Sequence, residues 1–100
     1  MLVHIVLWRL KQEAQGRDKD QNAQLMVREL EALPGKISEI ITLKTGINYN
    51  TSDAAWDVAL FTEFASREHL AVYQQHPDHV NVAKLIGELT AERAVVDYEK

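Results

Sequence analysis

The first apolar run, Leu2 to Leu10, is interrupted only by His4 and Arg9. Such a run predicts a strand covered on both faces, and its branched residues disfavour a helix. Lys11 to Asp20 is polar, with Gly16 as a break, and reads as a loop whose Asp18 or Asp20 caps the element that follows. From Asn22 to Leu33 the apolar residues Ala23, Met26, Val27, Leu30 and Leu33 fall on one helical stripe, and Leu33-Pro34-Gly35 ends it. Ile37 to Ile47 predicts a second strand, with Ile41, Leu43, Thr45 and Ile47 on one face and Ile40, Thr42 and Lys44 on the other. A turn-rich loop from Asn48 to Asp53 leads to a third strand, Trp56 to Phe64, with Trp56, Val58, Leu60, Thr62 and Phe64 on one side. Ser66 is a natural helix cap, and Leu70 and Tyr73 share a face of the helix it starts. His76-Pro77 interrupts that helix, and Pro77 suits the first position of a further helical segment carrying Val80, Ala83, Ile86 or Leu85, and Leu89 on an apolar stripe. Ala94 to Tyr98 reads as a short final strand.

The order is therefore β-α-β-β-α-β, the split pattern of an α+β, ferredoxin-like sandwich, in one domain spanning residues 1–100. Such a sheet carries its helices on one face only. Here the strands are apolar on both faces, so the exposed face is expected to be covered by a second copy of the chain, sheet against sheet, in a homodimer.

Composition removes several classes of partner. The net charge is −4 and no basic stripe is present, which argues against nucleic acid. There is no cysteine, hence no disulfide framework and no thiolate chemistry. No apolar stretch is long enough to span a membrane, and the N-terminus lacks the pattern of a secretory signal, so a cytoplasmic location is expected. No Gly-rich nucleotide loop and no Gly-x-Ser-x-Gly elbow occurs.

Candidate chemistry gathers at Tyr73-Gln74-Gln75-His76-Pro77-Asp78-His79, which holds two of the four histidines. A phenol and imidazoles at helical spacing can move protons between a bound molecule and solvent, because the free imidazole titrates near neutral pH. The bland reading of Tyr73 and His79 is structural, with each side chain tying down the helix break. His4 shares a strand face with Leu2, Val6 and Trp8. It reads first as a core histidine with a hydrogen-bond partner and second as a contact in the same cavity as His79. His76 is either a ligand contact or a helix cap. His76, Asp78 and His79 lack the further convergent ligand that a tight metal site wants, so neither a metal nor a cofactor is expected. The strand aromatics Trp8, Trp56, Phe61, Phe64 and Tyr98 are expected in the core, with one or two lining a hydrophobic cavity between the sheets.

Taken together, His4-Ile5-Val6-Leu7, Leu33-Pro34-Gly35, Ala59 to Ser66, Leu70 to His79 and Val95 to Glu99 resemble the Dabb family, the stress-responsive dimeric α/β-barrel domain. The Tyr-x-x-His-Pro-x-His segment is the most specific of these. The resemblance implies a ferredoxin-like protomer that dimerises through its sheets into a barrel with internal cavities. Family members differ in role, from stress-induced proteins to a plant polyketide cyclase. The implied function is thus a dimeric protein binding a small apolar or aromatic molecule in the barrel through His4, Trp8, Tyr73, His76 and His79. The alternative is a cofactor-free, cyclase-like enzyme. In it His79 is the general base that removes a proton α to a carbonyl, and Tyr73 donates a hydrogen bond to the enolate oxygen. A cofactor-independent monooxygenase follows from fold analogy alone. Some members hold magnesium through backbone carbonyls after the first helix, which here maps to Leu30, Leu33 and Lys36.

Overall fold

The computed structural model describes residues 1–100. Strand β1 (Leu2–Leu10) leads through a two-strand ribbon, β2 (Glu13–Ala14) and β3 (Arg17–Asp18), into helix α1 (Lys19–Glu31) and a 3-10 turn at Leu33–Gly35. Strands β4 (Thr42–Ile47) and β5 (Val58–Phe64) follow, then helices α2 (Arg67–Gln75) and α3 (Pro77–Leu89), and finally β6 (Thr90–Glu99). The four long strands form one antiparallel sheet in the order β4-β5-β1-β6, as the ferredoxin-like reading requires. No helix is long and apolar enough to cross a membrane.

Residues opposite one another in an antiparallel ladder share a face. The β1–β5 register pairs His4 with Thr62, Val6 with Leu60 and Trp8 with Val58, and these buried residues face the helices. There they meet Met26 and Leu30 of α1, Tyr73 of α2, and Ile86 and Leu89 of α3 in a continuous core. The opposite face carries Ile5, Leu7 and Phe61, all half-buried, with the exposed Val96 and Tyr98 on β6. That apolar surface has nothing over it in a single chain.

The polar segment before α1 is more ordered than its composition suggests. Gln15 and Gly16 both take positive φ, 55° and 75°, which is what a two-residue hairpin turn demands. Asn22 is fully buried and holds this ribbon: its amide donates to the carbonyls of Ala14 and Arg17, and its oxygen accepts from Arg17 Nε at 2.8 Å. Asp18 caps α1 in a reciprocal box with Gln21. The helix thus begins at Lys19, earlier than its apolar stripe. Strand β4 starts five residues later than expected. Ile37, Ile40 and Ile41 do not keep a two-residue period, and Ile37 instead plugs the core while its N–H bonds the Leu33 carbonyl at 2.9 Å. Strand β6 is longer than expected, since its polar start, Thr90 to Arg93, pairs with β1 as an edge.

Candidate functional site

A cavity of about 280 Å³ lies between the sheet and the helices of a single chain. His4, Val6 and Trp8 of β1 supply the floor; Tyr73 and His79 supply one wall; Ile86 and Gly87 of α3 and Arg93 of β6 complete it. Four of the five residues expected to contact a ligand, His4, Trp8, Tyr73 and His79, therefore meet in one place. The location corrects the sequence reading: this cavity is on the helix-facing side of the sheet, inside one chain, and not between two sheets. The reason is register. His4 and Trp8 share the parity of Val6, which points at the helices.

His76 does not join them. It closes α2 and opens α3, and its Nδ1 accepts from the Asp78 N–H at 3.1 Å, so it acts as a cap. Its backbone is extended, as the residue before a proline prefers. The break this creates turns the chain so that the rings of Tyr73, on the last turn of α2, and His79, on the first turn of α3, meet at a tilt of 48° with centroids 4.3 Å apart.

Tyr73 is 1 % exposed and packs on Phe64 at 5.0 Å between centroids. Its hydroxyl makes no hydrogen bond within the chain, yet no buried side-chain polar atom is left unpaired, so the oxygen opens on the cavity. Burial pushes its pKa up to about 12, although the Arg93 charge opposes this. The phenol is therefore neutral at ordinary pH and acts as a donor.

His79 is half-buried, and its Nδ1 lies 3.1 Å from the carbonyl oxygen of Gln74. A carbonyl only accepts, so Nδ1 carries the hydrogen and Nε2 is left as the basic nitrogen. Burial is the largest influence on its pKa and lowers it; the Gln74 bond opposes this, while the charges of His4, Arg93 and His76 add to the lowering. The ring therefore takes up a second proton less readily than a free imidazole.

His4 is buried, and its Nδ1–H donates to the Asp97 carboxylate on the neighbouring strand. It is thus both a core histidine with a satisfied partner and a wall of the cavity, with its ring 6.4 Å from that of Tyr73. Asp97 was not singled out in the sequence. Only the β1–β6 register, His4 opposite Asp97, brings it into play. Arg93 was missed for the same reason.

No group of three or more metal-ligating side chains converges. The carbonyl triad at Leu30, Leu33 and Lys36 fits a cation poorly, because the Leu33 oxygen already accepts from the N–H groups of Lys36 and Ile37, both at 2.9 Å.

The profile of the stress responsive A/B barrel domain, Dabb, matches residues 2–100. Among solved structures, the chain is similar to a dimeric ferredoxin-like protein of unknown function from Bacteroides fragilis NCTC 9343. The identity is 34 %, over 99 % of this chain and 95 % of that one, with a TM-score of 0.82. A dimeric ferredoxin-like protein of unknown function from Thermobifida fusca has 24 % identity over 99 % of this chain and 90 % of its own, with a TM-score of 0.83. A hydroxynitrile lyase from Passiflora edulis has 18 % identity over 97 % and 90 %, with a TM-score of 0.80. No protein with a curated description matches.

Proposed function

Since the chain belongs to the stress responsive A/B barrel (Dabb) domain family, we propose that it is a homodimer whose chains each bind an apolar or aromatic carbonyl compound and move its α-proton without a cofactor. Support for the dimer is the apolar outer sheet face, together with the dimeric state of the Bacteroides relative. Support for binding is a cavity whose lining is mostly apolar with a few convergent polar groups.

The observation that carries the chemistry is geometric: His79, whose Nδ1–H is spent on the Gln74 carbonyl so that Nε2 is the free nitrogen, stands beside the Tyr73 hydroxyl in the same cavity. In the reaction the α C–H bond breaks and its proton passes to His79 Nε2. The electron pair moves onto the carbonyl oxygen, where the Tyr73 O–H stabilises the enolate. The enolate carbon then either takes the proton back or attacks a second carbonyl of the same molecule, an aldol-type ring closure in which imidazolium returns the proton to the new alkoxide. His4, backed by Asp97, is the second polar contact for such a molecule. The Passiflora lyase, at 18 % identity, speaks for the shared fold alone.

The test is deuterium exchange at the α-carbon of aryl ketones in D₂O, followed by NMR. Wild-type protein accelerates exchange, and His79→Gln removes the acceleration with the fold intact. Acceleration that survives in His79→Gln would rule out His79 as the base, and no acceleration by wild type would leave only binding without turnover.

A further inference from the structure

The cavity wall holds one cation that the proton-transfer reading does not use. Arg93 sits on β6 opposite Trp8 of β1, so its side chain projects on the helix-facing side with the cavity residues. It is exposed at the rim, and none of the chain's ion pairs involves it. The acidic residue next to it, Glu92, points to the opposite face and is paired with Arg9. Asp97 shares its face, but lies four residues along the strand, roughly 13 Å away, and is bonded to His4. The chain has 15 acidic residues, yet none of the 13 that line the cavity is acidic. In a chain of net charge −4 this cavity is lined without a carboxylate, and an unpaired guanidinium stands at its rim.

We propose that Arg93 selects the ligand's charge: the molecule is a monoanionic carboxylic acid, its carboxylate held by the Arg93 guanidinium at the rim and its apolar body directed inward past Trp8 toward Tyr73 and His79. A guanidinium offers two parallel N–H groups that match one carboxylate. A single cation balances a single negative charge, which favours a carboxylate over a phosphate dianion. The influence of the Arg93 charge on both Tyr73 and His79 is consistent with a rim close to the reacting groups. This inference rests on the binding proposed above and adds the substrate class: an aryl- or alkyl-substituted oxo acid with its carboxylate distal to the enolisable carbonyl.

The test uses 3-phenylpropanoate and its neutral analogue 3-phenylpropanamide, with affinities measured by calorimetry on wild-type protein and on Arg93→Gln and Arg93→Lys. Wild type prefers the carboxylate on the order of tenfold. Arg93→Gln loses that preference while keeping its amide affinity, Arg93→Lys retains part of it, and added salt weakens only the carboxylate. Equal affinities in wild type, or a preference that survives in Arg93→Gln, overturn the assignment while leaving the cavity a binding site. Failure of wild type to bind either compound contradicts the binding reading itself, and the Arg93 assignment with it.

Discussion

His4 and Asp97 are 93 residues apart in sequence and directly opposite one another on β1 and β6, where the imidazole Nδ1–H donates to the carboxylate. The bond joins a side chain that is 3 % exposed to one that is 42 % exposed, so the edge strand reaches in to satisfy a histidine that the core alone could not.

Asp97→Ala removes that acceptor and leaves a buried N–H unpaired. The expected loss is about 1–3 kcal/mol of folding stability, measured by urea denaturation. His4→Phe/Asp97→Ala, which removes both groups, costs less than the sum of the single changes.

His79 supplies the pH dependence. Its pKa is lower in the folded chain than the ordinary value of 6.5, so the unfolded chain binds the proton first on acidification. Stability from this group is fully present above 6.5 and is lost as pH falls from there through the lower folded value. Denaturation midpoints at several pH values check this: His79→Gln flattens the acid side of the curve. Exchange activity has the same acid limb, and no alkaline limb below the range near 12 where Tyr73 ionises.

Tyr73→Phe separates chemistry from packing. The ring keeps its contacts with Phe64 and His79, and the lost hydroxyl had no partner in the chain. Stability is expected to stay within about 1 kcal/mol of wild type, while α-proton exchange falls roughly 10²- to 10³-fold. Denaturation and exchange on the same sample read both.

The dimer and the cavity are separable. Val96 and Tyr98 lie exposed on the outer sheet face, away from the cavity. Val96→Lys or Tyr98→Lys is expected to yield a monomer by light scattering while ligand affinity persists, because each cavity is built within one chain. Loss of binding together with the dimer would put the ligand between the sheets instead.

The sequence carried the element order because each main segment kept one period: near-continuous apolar residues in β1, alternation in β5, and helical stripes in α1 and α3. It also carried Tyr73 and His79, since Pro77 fixes the break between them and their spacing is local. The Gln15-Gly16 ribbon was not legible, because its strands are two residues long and it is held by the buried Asn22 rather than by an apolar pattern. Asp97 and Arg93 were not legible either. On an exposed edge strand they look like ordinary solvated charges, and their partners are set by a register that spans almost the whole chain. The side of the sheet on which the cavity forms was missed for a related reason: both faces are apolar, so alternation could not say which one the helices leave unfilled.

Proton transfer in the cavity depends on a neutral His79 with its hydrogen on Nδ1 and its basic Nε2 at the cavity wall. Long-range ¹H–¹⁵N correlation spectra of the imidazoles near neutral pH test it most directly. The Nδ1–H tautomer is expected for His79; an Nε2–H tautomer, or an imidazolium at that pH, overturns the proton-transfer mechanism.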